Sequence, residues 1–570
     1  MSDPAGPSKN TGASYTQAAD HTTAAAMGKA YHHEFPPSDD ADKSPYRTSD
    51  GELSSGAYVS GSAPLADERT ARSLQIDYSH PLENYLGRRP FRWLLKRLSK
   101  PDRNGRAALE KIITSYRNAD APRFQRIKYW PLHKFIDRMR GEVDVETFRR
   151  RLAENEATVR GLVIVARSVA EFGLTVPQKF TAPLFAVWNI TNRCNLACQH
   201  CYQDSEHNEL DAELSLEEKL NLVDQMGAAH MPMLALSGGE PTVSPHVEDI
   251  IRRARSYGMH LTMATNGTTM TPERAARLAE AGLRYVEISL DSIDPEKHDR
   301  FRGRQGLWAK TVQGARNVVA TPGMRLGIAM CVHQGNIDEV EEMIAFAEDL
   351  GAGCFAHFNF IPVGRGLNMV SGDITPAQRE KLLAILSKKM QDSAEGSMGI
   401  ISTAPQLGRV CLAGAAVDGG KVSCSHAGSG SGAKARVVAK YLGGCGAGRT
   451  YVCVEPNGDV TPCVYLPHRV MGNVRDKGFV QIYRDSVFWD ILNDRDRRLH
   501  HCEVCTFKKY CGGCRARADA YFGHLHAGDP GCTFNQKHWD ALVAAGVAVV
   551  DQAACAAGEM QASVGRDSGG

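Results

Sequence analysis

The chain has 570 residues, with 67 Lys and Arg against 65 Asp and Glu, 42% apolar residues, 7% aromatics and 16 Cys. That length exceeds a single core and implies about two or three domains. A formal net charge of +2 excludes a globally basic nucleic-acid binder and an acidic disordered chain.

The longest apolar run, Ala541 to Val550, is well short of the roughly 18 residues that a membrane span needs. The first residues are Ser/Ala/Thr-rich and lack the apolar stretch of a secretory signal. The expectation is a cytoplasmic protein with no transmembrane segment and no nucleic-acid partner.

Residues 1–70 hold only four Leu, Ile, Val or Phe (Phe35, Leu53, Val59, Leu65), which predicts a disordered tail over 1–75. Residues 76–180 read as a basic helical extension. Between 81 and 140 there are 16 Lys and Arg against 5 Asp and Glu, an excess of +11. Helical periodicity runs through Phe91–Leu98 and Val145–Phe172. A solvated basic face is the plain reading; a docking face for an acidic partner, leader peptide or carboxylate-rich substrate is the sharper one, and membrane-surface contact is a third.

From 181 to 370 strands alternate with helices. Strands are expected at Leu184–Thr191, Met233–Ser237, Leu261–Thr265, Tyr285–Leu290, Arg325–Val332 and Cys354–Ile361, and Ser215 with Glu218 has capping-box spacing at a helix start. Six such units imply an α/β fold with a parallel sheet, either open or partly closed as a barrel. A helix from Thr375 to Met390 and a Gly/Ala/Ser-rich stretch over 413–448, read as a flexible linker, fill 371–440. A cysteine-dense segment occupies 441–535, and a short helix near 537–550 with a tail ends the chain at 536–570.

Clustered Cys in a reducing compartment point to metal. Cys194, Cys198 and Cys201 follow the first strand, at the rim where α/β proteins place ligands. Three thiolates on one loop suit a four-iron cluster, which normally takes four Cys, and leave one iron open to an outside ligand; a zinc site short of a ligand is the alternative. The second set is Cys502-x2-Cys505-x5-Cys511-x2-Cys514, then Cys532, with Cys445 and Cys463 upstream. Pro456-Asn457-Gly458-Asp459 signals a turn, so a hairpin carries Cys463. A zinc ribbon usually separates its pairs by about 15–20 residues, and one zinc takes about four ligands, fewer than this segment offers. Cys331 and Cys354 read as small core residues, Cys555 as inert, and His501, His524 and His526 as solvated surface.

The Cys194–Cys201 spacing resembles the signature of the radical S-adenosylmethionine enzymes, with His200 where that family carries an aromatic or ring side chain. Ser237-Gly238-Gly239-Glu240-Pro241 resembles its Gly-Gly-Glu-Pro element, and Ala264–Thr268 and Ile288–Ser292 are further matches. The resemblance covers about 184–365. It implies a partial (β/α)6 TIM-like barrel, a [4Fe-4S] cluster on Cys194, Cys198 and Cys201, and S-adenosylmethionine held by the open iron with His200, Gly238, Gly239 and Glu240. It further implies reductive cleavage to methionine and a 5′-deoxyadenosyl radical, hydrogen abstraction from a substrate, and a ferredoxin- or flavodoxin-type electron donor. No residue is marked out as the acid or base.

The C-terminal set resembles the seven-cysteine SPASM extension of these enzymes, which binds two auxiliary [4Fe-4S] clusters. By that likeness Cys502, Cys505, Cys511 and Cys532 hold one, and Cys445, Cys463 and Cys514 contribute to the other. Its fourth position falls to Cys453, Cys424 or Cys411, or stays open to substrate. The departure is Cys511-x2-Cys514, where many members have three intervening residues. The run Cys511-Gly-Gly-Cys514-Arg-Ala-Arg-Ala518 looks most like the haem and haem d1 branch, which favours a carboxylate-bearing tetrapyrrole as substrate. A maturase oxidising or crosslinking a peptide or protein side chain is the alternative. The all-helical look of 81–180, without the strands of a leader-binding winged helix, tilts against it. Outside enzymes, the alternative is an iron–sulfur electron carrier or a zinc-binding scaffold.

Overall fold

The computed structural model describes residue 83 and residues 86–548, apart from 101, 103–106, 119–121, 141–143, 209, 211, 395, 419 and 424–428. The tail expected over 1–75 lies outside the described residues, as do Cys424 and Cys555.

Strands β1 (Phe185–Asn189), β2 (Met233–Ser237), β3 (His260–Thr265), β4 (Tyr285–Ser289), β5 (Arg325–Val332) and β6 (Cys354–Asn359) occupy the six expected positions. They pair in parallel in chain order. Parallel pairing needs a long crossover, and helices between the strands supply it. Each helix turns an apolar stripe inward, as Ile250, Ile251 and Ala254 do from Val247–Ser256 into the main core. Ser215 caps the helix Leu216–Ala228 in a capping box with Glu218.

The sheet runs beyond six strands. β7 (Gly399–Ser402) adds in parallel to β6; four residues are too few for alternation to reveal it. A short side hairpin, β8 (Lys421–Ser423) and β9 (Ser429–Ser431), stands apart from the main sheet. β10 (Tyr451–Val454) pairs in parallel with β1, then turns through Gly458, at φ +90°, into antiparallel β11 (Asp459–Thr461) and β12 (Gly472–Asn473). The order is β12-β11-β10-β1-β2-β3-β4-β5-β6-β7. The free edge of β1 is therefore taken by a C-terminal strand and not by β7, and the barrel stays open.

Among its described residues, the stretch expected as a flexible linker forms helices and a hairpin instead. Helices Gln406–Asp418 and Gly432–Leu442 flank the β8–β9 hairpin. Leu412, Val422 and Ala439 pack with Phe507 and Tyr510 in a core of their own. The Ala content that read as loose is what makes these segments good helix formers.

Among the described residues, five helices (Arg89–Leu98, Ala108–Arg117, Arg123–Arg140, Val145–Glu154 and Glu156–Phe172) build the N-terminal extension, with Ile113, Tyr116, Leu152 and Val159 in its core. It is anchored to the outside of the barrel. Buried Arg160 donates to the carbonyls of Gly227 (2.7 Å), Met231 (3.1 Å) and Tyr257 (2.7 Å), and His230 Nε2 meets Glu110 Oε1 at 2.6 Å. Replacing Arg160 by Met takes a shared donor from three carbonyls at once, which should cost roughly 2–4 kcal/mol. Hydrogen exchange should then show faster opening of 89–172, with the strands β2–β5 still protected.

Candidate active site

After β1 the chain leaves the sheet as an irregular loop carrying Cys194, Cys198 and Cys201. Backbone bonds clamp this loop to the end of β2: Gly239 N–H donates to Thr191 O (2.8 Å) and Glu240 N–H to Arg193 O (2.9 Å). A Cβ at Gly238 or Gly239 would collide with the carbonyls of Thr191 or Arg193. The paired glycines thus let the cysteine loop itself approach. Arg365 holds the far side of the loop, donating through Nε to Cys198 O (3.0 Å).

The Glu240 carboxylate is buried and accepts from Thr242 N (3.0 Å), Thr242 Oγ1 (2.6 Å), Thr265 Oγ1 (2.7 Å) and Asn266 N (2.8 Å). It ties the ends of β2 and β3 together and presents its backbone, more than its charge, to the site. His200 stacks flat on Phe301 (centroids 4.2 Å apart), which stacks on His333 (4.3 Å). Burial pushes His200 down to about 3, so its ring is neutral. Buried Arg302 lies 2.7 and 2.6 Å from Asp291 Oδ2 through Nε and Nη2, with Nη1 3.9 Å from Cys198 Sγ. Burial alone would raise the Asp291 carboxyl, but the Arg302 guanidinium outweighs it and holds it at about 2.

The three loop thiols line a cavity of about 510 Å³ inside the barrel, together with His200, Gly238, Gly239, Glu240 and, from the C-terminal segment, Cys445, Cys463 and Cys514. Ala235, Ala264, Ala329 and Ala356, at inward positions of the strands, leave the interior hollow. Cys331 and Cys354 face this hollow and line the cavity, so they are not packed core residues. The basic extension contributes no lining side chain.

Cys502, Cys505, Cys511 and Cys532 surround a second, small cavity with Arg409 and His501. Cys453 stands outside both sets, its thiol 3.4 Å from Glu455 Oε1, and Cys411 packs on Met390. Neither His501 nor His526 is plain solvated surface: burial pushes His526 down to about 4. Donors aim at the sulfurs. Tyr451 O–H donates to Cys463 (2.7 Å), Gly513 N–H to Cys511 (3.4 Å), Arg517 N–H to Cys514 (3.4 Å) and Asn535 Nδ2–H to Cys502 (3.5 Å).

Burial pushes the Cys194 thiol up to about 12 and raises Cys463, Cys505, Cys511 and Cys532 as well. Around the C-terminal sets, Arg449, Arg495, Arg498 and Arg515 are buried, and among the described residues they bond to backbone carbonyls and to no carboxylate. Burial pushes Arg495 down to about 10 and Arg449 to about 9. Soft thiol donors, N–H and O–H groups aimed at sulfur and uncompensated guanidinium charge together fit thiolate-ligated, anionic iron–sulfur clusters. Among the described residues no three His, Cys, Asp or Glu side chains close on a single metal ion.

Arg302, Tyr451 and the four buried arginines carry no local sequence pattern; their roles depend on contacts across the chain. Glu287 is another such residue. It faces the cavity from β4, and among the described residues its carboxyl accepts from the Tyr285 hydroxyl at 3.5 Å. Burial pushes it up to about 7. An acid whose folded value lies above its unfolded one stabilises the fold at low pH and loses that contribution as pH rises through neutrality. Glu287→Gln should therefore unfold at the wild-type temperature near pH 5 and be more stable than wild type by roughly 1–3 kcal/mol at pH 8, measured by anaerobic thermal denaturation.

Comparison with known proteins agrees with this geometry. Residues 188–347 match the radical SAM superfamily and residues 445–506 an iron–sulfur cluster-binding (SPASM) domain. An AdoMet-dependent heme synthase of Methanosarcina barkeri is 32% identical over 354 residues, 62% of this chain and 97% of that protein. A mycofactocin maturase of Mycobacterium ulcerans is 29% identical over 62% of this chain and 88% of its own length. The crystal structure of Streptococcus suis SuiB bound to precursor peptide SuiA shares the fold, with a TM-score of 0.52 and 13% identity over 75% of this chain and 93% of that one. The electron-carrier and zinc-scaffold readings fall with these matches. The chain belongs to the radical SAM superfamily, as an enzyme that uses S-adenosylmethionine with a four-iron cluster and binds auxiliary iron–sulfur clusters in a SPASM domain.

Proposed function

We propose that this enzyme abstracts hydrogen from a carboxylate-bearing tetrapyrrole in haem-type biosynthesis. One observation carries the reading: a single, mainly apolar cavity is lined both by the three-thiol loop and by Cys445, Cys463 and Cys514. A substrate in that cavity lies within reach of both. The AdoMet-dependent heme synthase relative, matched over 97% of its length, supports the substrate class, and aromatic walls such as Phe185, Tyr202, Phe358 and Tyr465 suit a flat, largely apolar macrocycle.

In this reading Cys194, Cys198 and Cys201 ligate the catalytic cluster, and His200, Gly238, Gly239 and Glu240 shape the S-adenosylmethionine site. Cys502, Cys505, Cys511 and Cys532 ligate one auxiliary cluster, and Cys445, Cys463 and Cys514 three corners of the other. When bound, cluster and S-adenosylmethionine supply the radical that takes a hydrogen atom. The chain's own side chains hold and shield. Glu240 fixes the strand ends, Arg302 keeps a positive charge beside Cys198, and the apolar lining excludes water. A ferredoxin- or flavodoxin-type protein delivers the electron, in the cytoplasm; no described helix is long and apolar enough to cross a membrane.

The second reading, a maturase acting on a peptide or protein side chain, is supported by the mycofactocin maturase relative at similar identity. Anaerobic reconstitution separates the two. Three clusters require about twelve iron and twelve sulfide per chain, and reductant with S-adenosylmethionine should yield 5′-deoxyadenosine. An iron porphyrin bearing propionates should lose carbon dioxide, as read by mass spectrometry; turnover of a peptide with no porphyrin turnover decides for the maturase. Cys198→Ala should abolish 5′-deoxyadenosine while about eight irons remain, whereas Cys505→Ala should keep 5′-deoxyadenosine formation and lower the iron content to about eight.

A further inference from the structure

The N-terminal extension carries a surface that no part of the reaction uses. Its strongly exposed apolar side chains are large: Trp93 is 64% exposed, Phe124 68%, Ile127 75% and Trp130 60%. Among the described residues, every strongly exposed Trp or Phe lies here. Phe124, Ile127 and Trp130 repeat at three-residue spacing along the helix Arg123–Arg140 and form one outward stripe, which Lys134 and Arg138 continue. The packed contacts of that helix come farther along it: His133 meets Ser115 (2.8 Å), and Asp137 accepts from the Tyr116 hydroxyl (2.7 Å).

The same segment exposes positive charge. Arg89, Lys96, Arg97, Lys100, Arg123, Arg126, Lys134 and Arg138 are exposed, and none forms an ion pair with a described carboxylate. The acids of the region are engaged elsewhere: Asp102 with Lys111, Glu110 with His230 and Glu156 with Arg117. The segment is therefore cationic at its surface as well as in its composition.

We propose that the helices Arg89–Leu98 and Arg123–Arg140 form a docking face that seats this enzyme on an anionic lipid surface, with Phe124, Ile127 and Trp130 entering the interface and the surrounding Lys and Arg meeting the headgroups. Two signals of different kind coincide, as stable peripheral binding requires: apolar side chains to insert and a cluster of cations to attract. The choice of a bilayer over an acidic polypeptide follows from exposure. Side chains that line a peptide groove are half-covered by its walls, whereas these project freely and suit a flat, deformable partner. Trp is also the side chain that favours the headgroup level, where one end is wet and the other apolar. The inference is independent of the substrate reading, because no residue of the extension lines the cavity.

The test uses the full-length, anaerobically reconstituted enzyme and sedimentation with vesicles of phosphatidylcholine, alone or mixed with phosphatidylglycerol. The expected result is binding to the anionic vesicles only, weakened at least about tenfold between 0.05 and 0.5 M salt, with a blue shift of tryptophan emission. The triple variant Phe124→Ser, Ile127→Ser, Trp130→Ser keeps every charge. It should lose about tenfold or more in vesicle affinity and the blue shift, while forming 5′-deoxyadenosine at the wild-type rate. Replacing Arg123, Arg126, Lys134 and Arg138 by Gln should remove the preference for phosphatidylglycerol. No binding to anionic vesicles, or binding that the aromatic variant leaves unchanged, overturns the proposal. Tighter binding to poly-glutamate than to the vesicles, also unchanged in the aromatic variant, overturns it in favour of an acidic polypeptide.

Discussion

Strand β1 is hydrogen-bonded along both edges, to β2 of the barrel and to β10 of the cysteine-rich domain. Everything about the site depends on that double pairing. It sets Phe185 against Tyr451 in register, with rings stacked 5.0 Å apart, and Tyr451 reaches on to Cys463. A polar network reinforces the seam. Buried Glu455 accepts from Asn189 Nδ2 and Gln203 Nε2 (both 3.0 Å), and Tyr202, directly after Cys201, donates to Asn189 Oδ1 (3.1 Å). The end of β1, the cysteine loop and β10 are thereby one body, which is why thiols some 260 residues apart in sequence line one cavity.

Charge is distributed as if the fold awaited anions. Isolated buried guanidinium groups are costly because desolvation is not repaid by carbonyl contacts alone, yet Arg449, Arg495, Arg498 and Arg515 sit together around buried thiols. Arg495 lies between the loops of Cys445 and Cys511, so close that a side chain at Gly444 or Gly512 would meet it. Thiols that burial keeps protonated release their protons when iron binds. The thiolates so formed supply the negative charge these arginines lack. That exchange would couple folding of the C-terminal domain to loading of its clusters, whereas Arg302 beside Cys198 already has its counter-charge in Asp291.

How far the sequence could be read depended on the reach of each signal. The cysteine loop, the Gly-Gly-Glu element, the capping box at Ser215 and the turn at Gly458 are local chemistry and were legible from neighbouring residues. β7 is four residues long, and the helices at 406–418 and 432–442 lie in a stretch rich in Ala, Gly and Ser, so pattern alone did not reveal them. Other features depend on contacts between segments. Gly238 and Gly239 are small because the cysteine loop presses on them, and Glu240 serves as a carboxylate hub between strands. Cys331 and Cys354 read as core because inward strand positions usually are; only the ring of alanines around them makes the interior hollow. Arg302 and Glu287 lie at positions that no spacing distinguishes, and their environments arise from other strands.

The placement of the basic extension separates two kinds of electrostatics in this molecule. Inside, several of the cavity's ionisable groups are already paired or neutral: Asp291 with Arg302, Glu240 with four donors, His200 uncharged. A carboxylate of the proposed tetrapyrrole entering there would find Arg302 and Arg365 among the lining residues, and none of the described Lys and Arg of residues 81–140. Outside, Arg89, Lys96, Arg97, Lys100, Arg123, Arg126, Lys134 and Arg138 face water. Their field falls off within about a Debye length, roughly 8 Å at physiological salt, so it acts on what the outer surface touches and not on the bound substrate. A fold that spends its buried charge on clusters and its exposed charge on an outer face has divided recognition of the substrate from recognition of its surroundings.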